Sequence, residues 1–124
     1  MALPGRDESY ASTLDAASLD ITGDLDLRIE LEPRTWRPSN SYGLARKYVA
    51  TSDQRSWLFG VGSTGLLQFF WSPDGTLANR ILASSTAAIP ASSTRLALRV
   101  TLDVNNGAVG NDVTFYTSSS LGGS

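Results

Sequence analysis

The sequence reads Leu25-Asp-Leu-Arg-Ile-Glu-Leu-Glu32, an alternation of aliphatic and charged side chains. A second alternation runs through Leu96-Ala-Leu-Arg-Val-Thr-Leu-Asp-Val104. Because successive side chains of a β-strand point to opposite faces, each segment has one apolar face and one mostly polar face. This pattern is typical of antiparallel sheets that are buried on one side and solvated on the other. The sequence therefore predicts an all-β chain folded as an antiparallel two-sheet sandwich.

Turn signals recur about every 8–12 residues, as in β-sandwiches. The clearest is Gly62-Ser-Thr-Gly65, which joins the aromatic-rich segments 56–61 and 66–71 and predicts a β-hairpin. Pro73-Asp-Gly75 predicts a tight turn, since Pro fixes φ and Gly accepts the left-handed conformation. Further strands are expected at 42–50 (with Leu44 and Tyr48 on one face), 79–85 and 112–117, and short ones near 10–12 and 18–21.

The composition excludes several classes of function. The 124 residues contain no cysteine and no histidine, which removes disulfides, thiolate or imidazole metal sites and His-assisted nucleophiles. The net charge of −2, without a basic run, argues against a nucleic-acid binder. The sequence shows neither a signal peptide nor an apolar stretch of membrane-spanning length. We therefore expect synthesis in the cytoplasm without a signal peptide.

Carboxylates on the first alternating strand suggest one candidate chemistry. Glycosidases use two carboxyl groups at fixed separation, and here Asp26, Glu30 and Glu32 share one strand face. Arg28 occupies the central position of that face, and no clear acid–base partner accompanies the acids. The alternative is a solvated face whose charges pair across the sheet, and we expect no catalytic residues.

Calcium is the second candidate chemistry. Aspartates lie near the predicted strand ends, where they could supply oxygen ligands, but none belongs to a loop with the spacing of a dedicated calcium motif. Turn and cap hydrogen bonding is the alternative for Asp20, Asp24, Asp103 and Asp112. We expect no required cofactor and keep calcium as the open alternative.

Exposed aromatic and arginine side chains form the third candidate. Phe70 and Tyr116 fall on the faces of their strands opposite the predicted core, beside polar neighbours, and Arg99 projects from the polar face of the second alternating strand. Exposed aromatics can stack on sugars or anchor a protein interface, while incidental exposure is the alternative. Phe70, Arg99 and Tyr116 are therefore the candidate residues for contact with a glycan or a protein.

The order of these motifs resembles the laminin-G-like, concanavalin-A-like jelly roll, above all the version found in actinobacterial and actinobacteriophage proteins. The resemblance covers the chain from about Ser9 onward. It is carried by Ser9-Tyr-Ala-Ser-Thr13, Leu19-Asp-Ile-Thr-Gly-Asp-Leu-Asp-Leu-Arg28, the strand at Lys47 with Gln54-Arg-Ser56, Trp71-Ser-Pro-Asp-Gly75, and Leu98-Arg-Val-Thr-Leu-Asp103 followed by Val113-Thr-Phe-Tyr-Thr117.

The sequence departs from that family in two ways. The family continues past the equivalent of Ser120–Ser124 with a tryptophan and the last strands of the sandwich, so either the natural chain is longer or an open sheet edge awaits a neighbour. The aromatic density of segments 56–61 and 66–71 also exceeds that of the family's central strands. Residues 1–18 are polar and small and are expected to form an N-terminal arm that could supply an edge strand, and the resemblance implies a jelly-roll domain at 19–124.

The resemblance also implies a function. We expect a non-enzymatic structural or adhesive module of a phage virion, either a capsid decoration protein or a minor tail protein. Its partners would be other virion proteins, further copies of itself in a homo-oligomer, and host-surface glycans, with no nucleic acid and no membrane. The alternative is a bacterial carbohydrate-binding or β-glucan-cleaving protein.

Overall fold

Seven antiparallel strands make up most of the described structure. The computed structural model describes residues 11–14, 23–49, 51–105 and 111–119. Within these ranges there is no α-helix, and the helical structure is one 3-10 turn at Thr51–Asp53. The strands are β1 (Leu25–Leu31), β2 (Tyr42–Val49), β3 (Gln54–Val61), β4 (Leu66–Trp71), β5 (Ile81–Ala88), β6 (Leu96–Asp103) and β7 (Asp112–Ser118).

The strands form two sheets that pack as a β-sandwich. The three-stranded sheet has the order β1-β6-β7, and the four-stranded sheet is a meander, β2-β3-β4-β5. The two alternating segments pair with each other, from Leu25 opposite Leu102 to Leu31 opposite Leu96. This register aligns the apolar faces of both strands, so the sequence prediction of an antiparallel sandwich is confirmed.

Side chains from both sheets meet in a single core. The four-stranded sheet contributes Phe59, Leu67 and Phe69, and the three-stranded sheet contributes Leu98 and Val100 among others. The rings of Phe59 and Phe115 stack across the two sheets with centroids 6.4 Å apart. Full burial of one such side chain stabilises the fold by about 1.5–3 kcal/mol, so this interface holds the sheets together.

The β3–β4 hairpin forms where the sequence predicted it. Residues 62–65 connect the strands, and the Gly65 amide donates to the Gly62 carbonyl at 2.9 Å. Gly65 has a φ of 81°, and a Cβ there would lie 1.7 Å from Nη1 of Arg37. Glycine is thus required both by backbone conformation and by space.

The predicted turn at Pro73-Asp-Gly75 is built around one carboxylate. Asp74 Oδ1 accepts hydrogen bonds from the Thr76 amide at 2.9 Å and the Ser72 hydroxyl at 3.2 Å. The Asn79 amide group donates to the other carboxylate oxygen. These bonds, chiefly those from Asn79 and Thr76, lower the pKa of Asp74 to about 2, which keeps the turn's acceptor ionised at neutral pH.

Two expectations about the four-stranded sheet were wrong. Leu44 packs against the core, whereas the Tyr48 ring lies on the outer face against Phe70. Register shifts between Gly43 and Ala45 and between Lys47 and Tyr48 break the simple alternation. Counting every second residue from Leu44 therefore assigns Tyr48 to the wrong face. The fifth strand also begins at Ile81 rather than Asn79, because Asn79 belongs to the Asp74 turn.

Trp36 is a core residue outside any strand. It is fully buried in the segment between β1 and β2, and its indole Nε1 donates to the Thr94 carbonyl at 2.9 Å. The neighbouring Arg37 guanidinium donates to the carbonyls of Trp36 and Ile89 at 3.0 and 2.6 Å. This segment therefore ties the β1–β2 connection to the connection before β6.

Several predicted features fall partly or wholly outside the described residues. The strand at 18–21 and most of the arm at residues 1–18 lie there, as does the segment Ser120–Ser124. Ala11–Leu14, which overlaps the strand predicted at 10–12, is described and is not a strand.

Candidate functional site

Arg99 and Tyr116 come together on the outer face of the three-stranded sheet. They are directly opposite each other in the β6–β7 register. The Arg99 guanidinium carbon lies 4.8 Å from the centroid of the Tyr116 ring, a cation–π contact. Tyr116 remains 45% exposed, so the pair presents an aromatic ring and a guanidinium group to solvent.

The Asp26 carboxylate holds the Arg99 side chain of this pair in place. Arg99 Nε and Nη2 donate to the two oxygens of Asp26 at 2.9 and 3.0 Å. Arg28 donates to the same two oxygens at 3.2 and 3.0 Å. Since Arg28 and Arg99 face each other across β1 and β6, the Asp26 carboxylate between them offsets the repulsion of two like charges.

Two of the three strand-face carboxylates considered for catalysis, Asp26 and Glu30, are engaged in ion pairs. Hydrogen bonds from Arg28 and then Arg99 hold the pKa of Asp26 well below its usual range. Glu30 accepts a hydrogen bond from Arg95 Nε at 2.6 Å. This is the cross-strand charge pairing that the sequence offered as the alternative to catalysis, and an Asp26 held ionised is unsuited to act as a proton donor.

The lowered pKa of Asp26 predicts a specific pH dependence. A carboxyl group whose pKa is lower in the folded state stabilises that state above its unfolded-state pKa, and this stabilisation is lost progressively as the pH falls below about 5 towards the lower folded-state pKa. We therefore expect Asp26→Asn to lower the urea midpoint at pH 7 and to flatten its decline on acidification.

The matched control for this experiment is Asp103→Asn. Asp103 Oδ1 accepts from the Asn105 amide at 3.0 Å, and asparagine retains that acceptor. Urea titrations of both variants and the unaltered protein across the acid range measure the effect. If the urea midpoint of Asp26→Asn falls with pH as steeply as that of the unaltered protein, the lowered pKa of Asp26 is contradicted.

Phe70 lies on the opposite side of the molecule from Arg99 and Tyr116. It belongs to the outer face of the four-stranded sheet, where the Tyr48 ring meets it edge-on with centroids 6.3 Å apart. The Arg80 guanidinium carbon lies 5.5 Å from the Phe70 ring centroid. The three candidate contact residues are therefore divided between two outer faces, each with an arginine over an aromatic ring.

Two of the aspartates considered for calcium accept hydrogen bonds from the backbone. Asp24 Oδ1 accepts from the Val104 amide at 2.9 Å, and Asp103 Oδ1 accepts from the Asn105 amide at 3.0 Å. Asp103 and Asp112 are opposite each other in the register, and Asp20 lies outside the described residues. Among the described residues no three acidic side chains are arranged to hold a metal ion.

A cleft of about 560 Å³ lies between the edge strands β5 and β7. Apolar side chains of the core edge, including Ile89, Val113 and Phe115, line it beside the small side chains of β5. This cleft was not predictable from the sequence, because alternation shows which residues point inward but not how the edges of the two sheets lie relative to each other.

Comparisons of the chain with protein-family models, curated proteins and solved structures found no match. None of the helical structure in the described ranges is long and apolar enough to span a membrane.

Proposed function

We propose that the chain is a non-enzymatic structural and adhesive module of a phage virion, acting as a capsid decoration protein or a minor tail protein. In this role it binds other virion proteins, with host-surface glycans as a second class of ligand. The resemblance of its motifs to phage-borne laminin-G-like jelly rolls supports the virion setting. The β-sandwich is compatible with such a module.

The observation that carries a binding function is the Arg99–Tyr116 pair. Its ring and guanidinium group are exposed on rigid paired strands, and Asp26 restrains the Arg99 side chain. Aromatic and arginine side chains are the residues that most often anchor interfaces. A preorganised pair loses little conformational entropy on binding, so it suits recognition better than a loop would.

The virion setting is tested by the protein composition of purified particles. Quantitative mass spectrometry on particles of the phage whose genome encodes the chain should find it at many copies per particle. A particle preparation that contains the major capsid and tail proteins but lacks this chain would overturn the proposal.

Glycan adhesion is the second candidate function, favoured by the exposed Tyr116 ring. The purified chain should bind a subset of host-wall glycans on an array, and Tyr116→Ala should reduce that binding about tenfold or more, as expected for losing about 1.4 kcal/mol. Thr114→Ala, two residues away on the same face of β7, is the matched control and should leave binding unchanged. Equal glycan binding by the Tyr116→Ala and Thr114→Ala variants would show that Tyr116 does not contribute to the glycan-binding site. Hydrolysis of any β-glucan in the same panel would favour the enzymatic alternative.

A further inference from the structure

The outer face of the three-stranded sheet places two arginines and a tyrosine in one row. Arg28 on β1 is opposite Arg99 on β6, and Arg99 is opposite Tyr116 on β7. Neighbouring strands are about 4.8 Å apart, so the two ends of this Arg28–Arg99–Tyr116 row are separated by about 10 Å. A single ligand lying across the three strands can therefore contact both guanidinium groups and the aromatic ring.

The two guanidinium groups of this row share one carboxylate. Among the described residues, the side-chain hydrogen bonds of Arg28 and Arg99 all go to Asp26, through Nε and Nη2 of each arginine. A guanidinium group has five N–H donors, so the donors of both Nη1 groups are left for a ligand. The side chains of Arg28 and Arg99 are 54% and 38% exposed, which makes the pair accessible from solvent.

The charged groups next to the row leave a small positive excess. Glu30, two residues from Arg28 on the same face of β1, accepts a hydrogen bond from Arg95 at 2.6 Å. The ion pairs around the row therefore join three guanidinium groups, those of Arg28, Arg95 and Arg99, to the two carboxylates of Asp26 and Glu30. The excess corresponds to one positive charge.

The other carboxylates of this face lie farther along the strands. Asp24 and Glu32 are each four residues from Arg28, and Asp103 is four residues from Arg99, with Asp112 opposite Asp103. Four residues of a strand span about 13 Å. Because this exceeds the screening length of about 10 Å at 0.1 M salt, the field at the row is set mainly by the nearer groups.

We propose that the Arg28–Arg99–Tyr116 row binds an acidic glycan, with a carboxylate or phosphodiester group on the two arginines and a sugar ring against Tyr116. This inference rests on the adhesive function proposed above, and it names the class of glycan that the same site takes. Guanidinium groups donate paired hydrogen bonds to carboxylate and phosphate oxygens. The exposed Tyr116 ring supplies an apolar surface with a polar tip for the sugar.

Asp26 holds the two arginines in place for such a ligand. Its four hydrogen bonds, from 2.9 to 3.2 Å long, restrain both guanidinium groups before the ligand arrives, so binding costs little conformational entropy. An acidic group then forms charge-assisted hydrogen bonds, which a neutral sugar cannot form. We therefore expect an acidic glycan to bind about tenfold or more tightly than a neutral glycan of the same shape.

Isothermal titration calorimetry with matched probes tests the ligand class. The probes are an oligomer of galacturonic acid, the same oligomer with its carboxyl groups reduced to alcohols, and an oligomer of hexoses joined by phosphodiesters. The galacturonic acid oligomer should bind at least about tenfold more tightly than its reduced form at about 50 mM salt. This preference should shrink at about 500 mM salt, which shortens the screening length. A tenfold preference confined to the phosphodiester probe would identify phosphate as the source of the acidic group.

Two arginine variants with the same change of charge locate the acidic group. Arg28→Gln removes one guanidinium group of the row and should weaken binding of the acidic probe about tenfold, while binding of the reduced probe stays unchanged. Arg34→Gln, at an exposed side chain in the segment after β1, is the matched control and should bind both probes like the unaltered chain. Circular dichroism verifies that each variant keeps its β-structure.

The contrary outcomes separate this inference from the function on which it rests. Equal binding of the acidic and neutral probes would overturn the inference, as would an Arg28→Gln variant that keeps the full preference for acidic probes. Host-wall glycans that bind through Tyr116 but carry no acidic group would also overturn it, while leaving the adhesive function intact. If no host-wall glycan and no probe binds, the adhesive function and this inference fail together, and the particle test of the virion setting still stands apart.

Discussion

We expect Trp36→Ala to lower the free energy of unfolding by about 3–5 kcal/mol, the range for truncating a large buried aromatic side chain. Trp36 is fully buried, and its indole nitrogen is hydrogen-bonded to the Thr94 carbonyl. Truncation would leave a cavity in the core and an unsatisfied carbonyl. Because small domains have only about 5–15 kcal/mol of total stability, the variant should be substantially destabilised at room temperature.

Urea denaturation followed by far-UV circular dichroism measures this loss, since tryptophan fluorescence would change with the substitution itself. Trp36→Phe keeps most of the buried area but not the N–H donor, and should lose about 1–3 kcal/mol. This variant preserves the test if Trp36→Ala does not fold. Leu77→Ala, at a side chain 53% exposed, is the control and should change stability by less than about 0.5 kcal/mol. A Trp36→Ala protein as stable as the Leu77→Ala protein would contradict the core assignment.

Gly75→Ala should cost about 2–4 kcal/mol, from the left-handed backbone penalty together with overpacking. Gly75 has a φ of 83°, where side chains are disfavoured. A Cβ at this position would lie 1.9 Å from the Asp53 carbonyl oxygen, a backbone atom that cannot rotate away. The turn after β4 would have to separate from the 3-10 turn before β3.

Gly23→Ala is the matched control for Gly75→Ala. No atom lies within 4 Å of a Cβ built on Gly23, and its φ is outside the left-handed region. Its stability should therefore change by less than about 0.5 kcal/mol in the same urea titration. Equal midpoints for the two glycine variants would show that the close approach of the two turns is not a constraint.

The fold class was predictable because alternation is a direct consequence of strand geometry. Leu25–Leu31 and Leu96–Asp103 pair with each other in the register that their apolar faces require. The hairpin through Gly62 and Gly65 was also predictable from turn chemistry. These features depend on local rules, which act the same way wherever the segment lies in the molecule.

Other features depend on contacts that no local pattern encodes. Trp36 is in a Pro- and Ser-containing segment that reads as an exposed loop, yet distant carbonyls hold it in the core. Tyr48 was assigned to the wrong face of β2 because two irregularities in the β2–β3 ladder interrupt the alternation of side chains. A bulge depends on both strands, so the sequence of one strand does not reveal it.

The candidate contact residues illustrate the same limit. The alternation of side chains along each strand correctly predicted that Phe70 and Tyr116 point away from the core. It could not show that Arg99 stacks on Tyr116 while Phe70 lies on the other sheet with Arg80, since this depends on which strands become neighbours.

The pairing of β1 with β6 also determines how the chain must fold. The contact between Asp26 and Arg99 joins residues 73 positions apart, whereas the meander β2-β3-β4-β5 is assembled from neighbours in sequence. Closing a long loop costs more entropy than closing a short hairpin, and folding rates fall as such non-local contacts increase. We therefore expect the meander to nucleate early and the capture of β1 by β6 to be the slow, late event of folding.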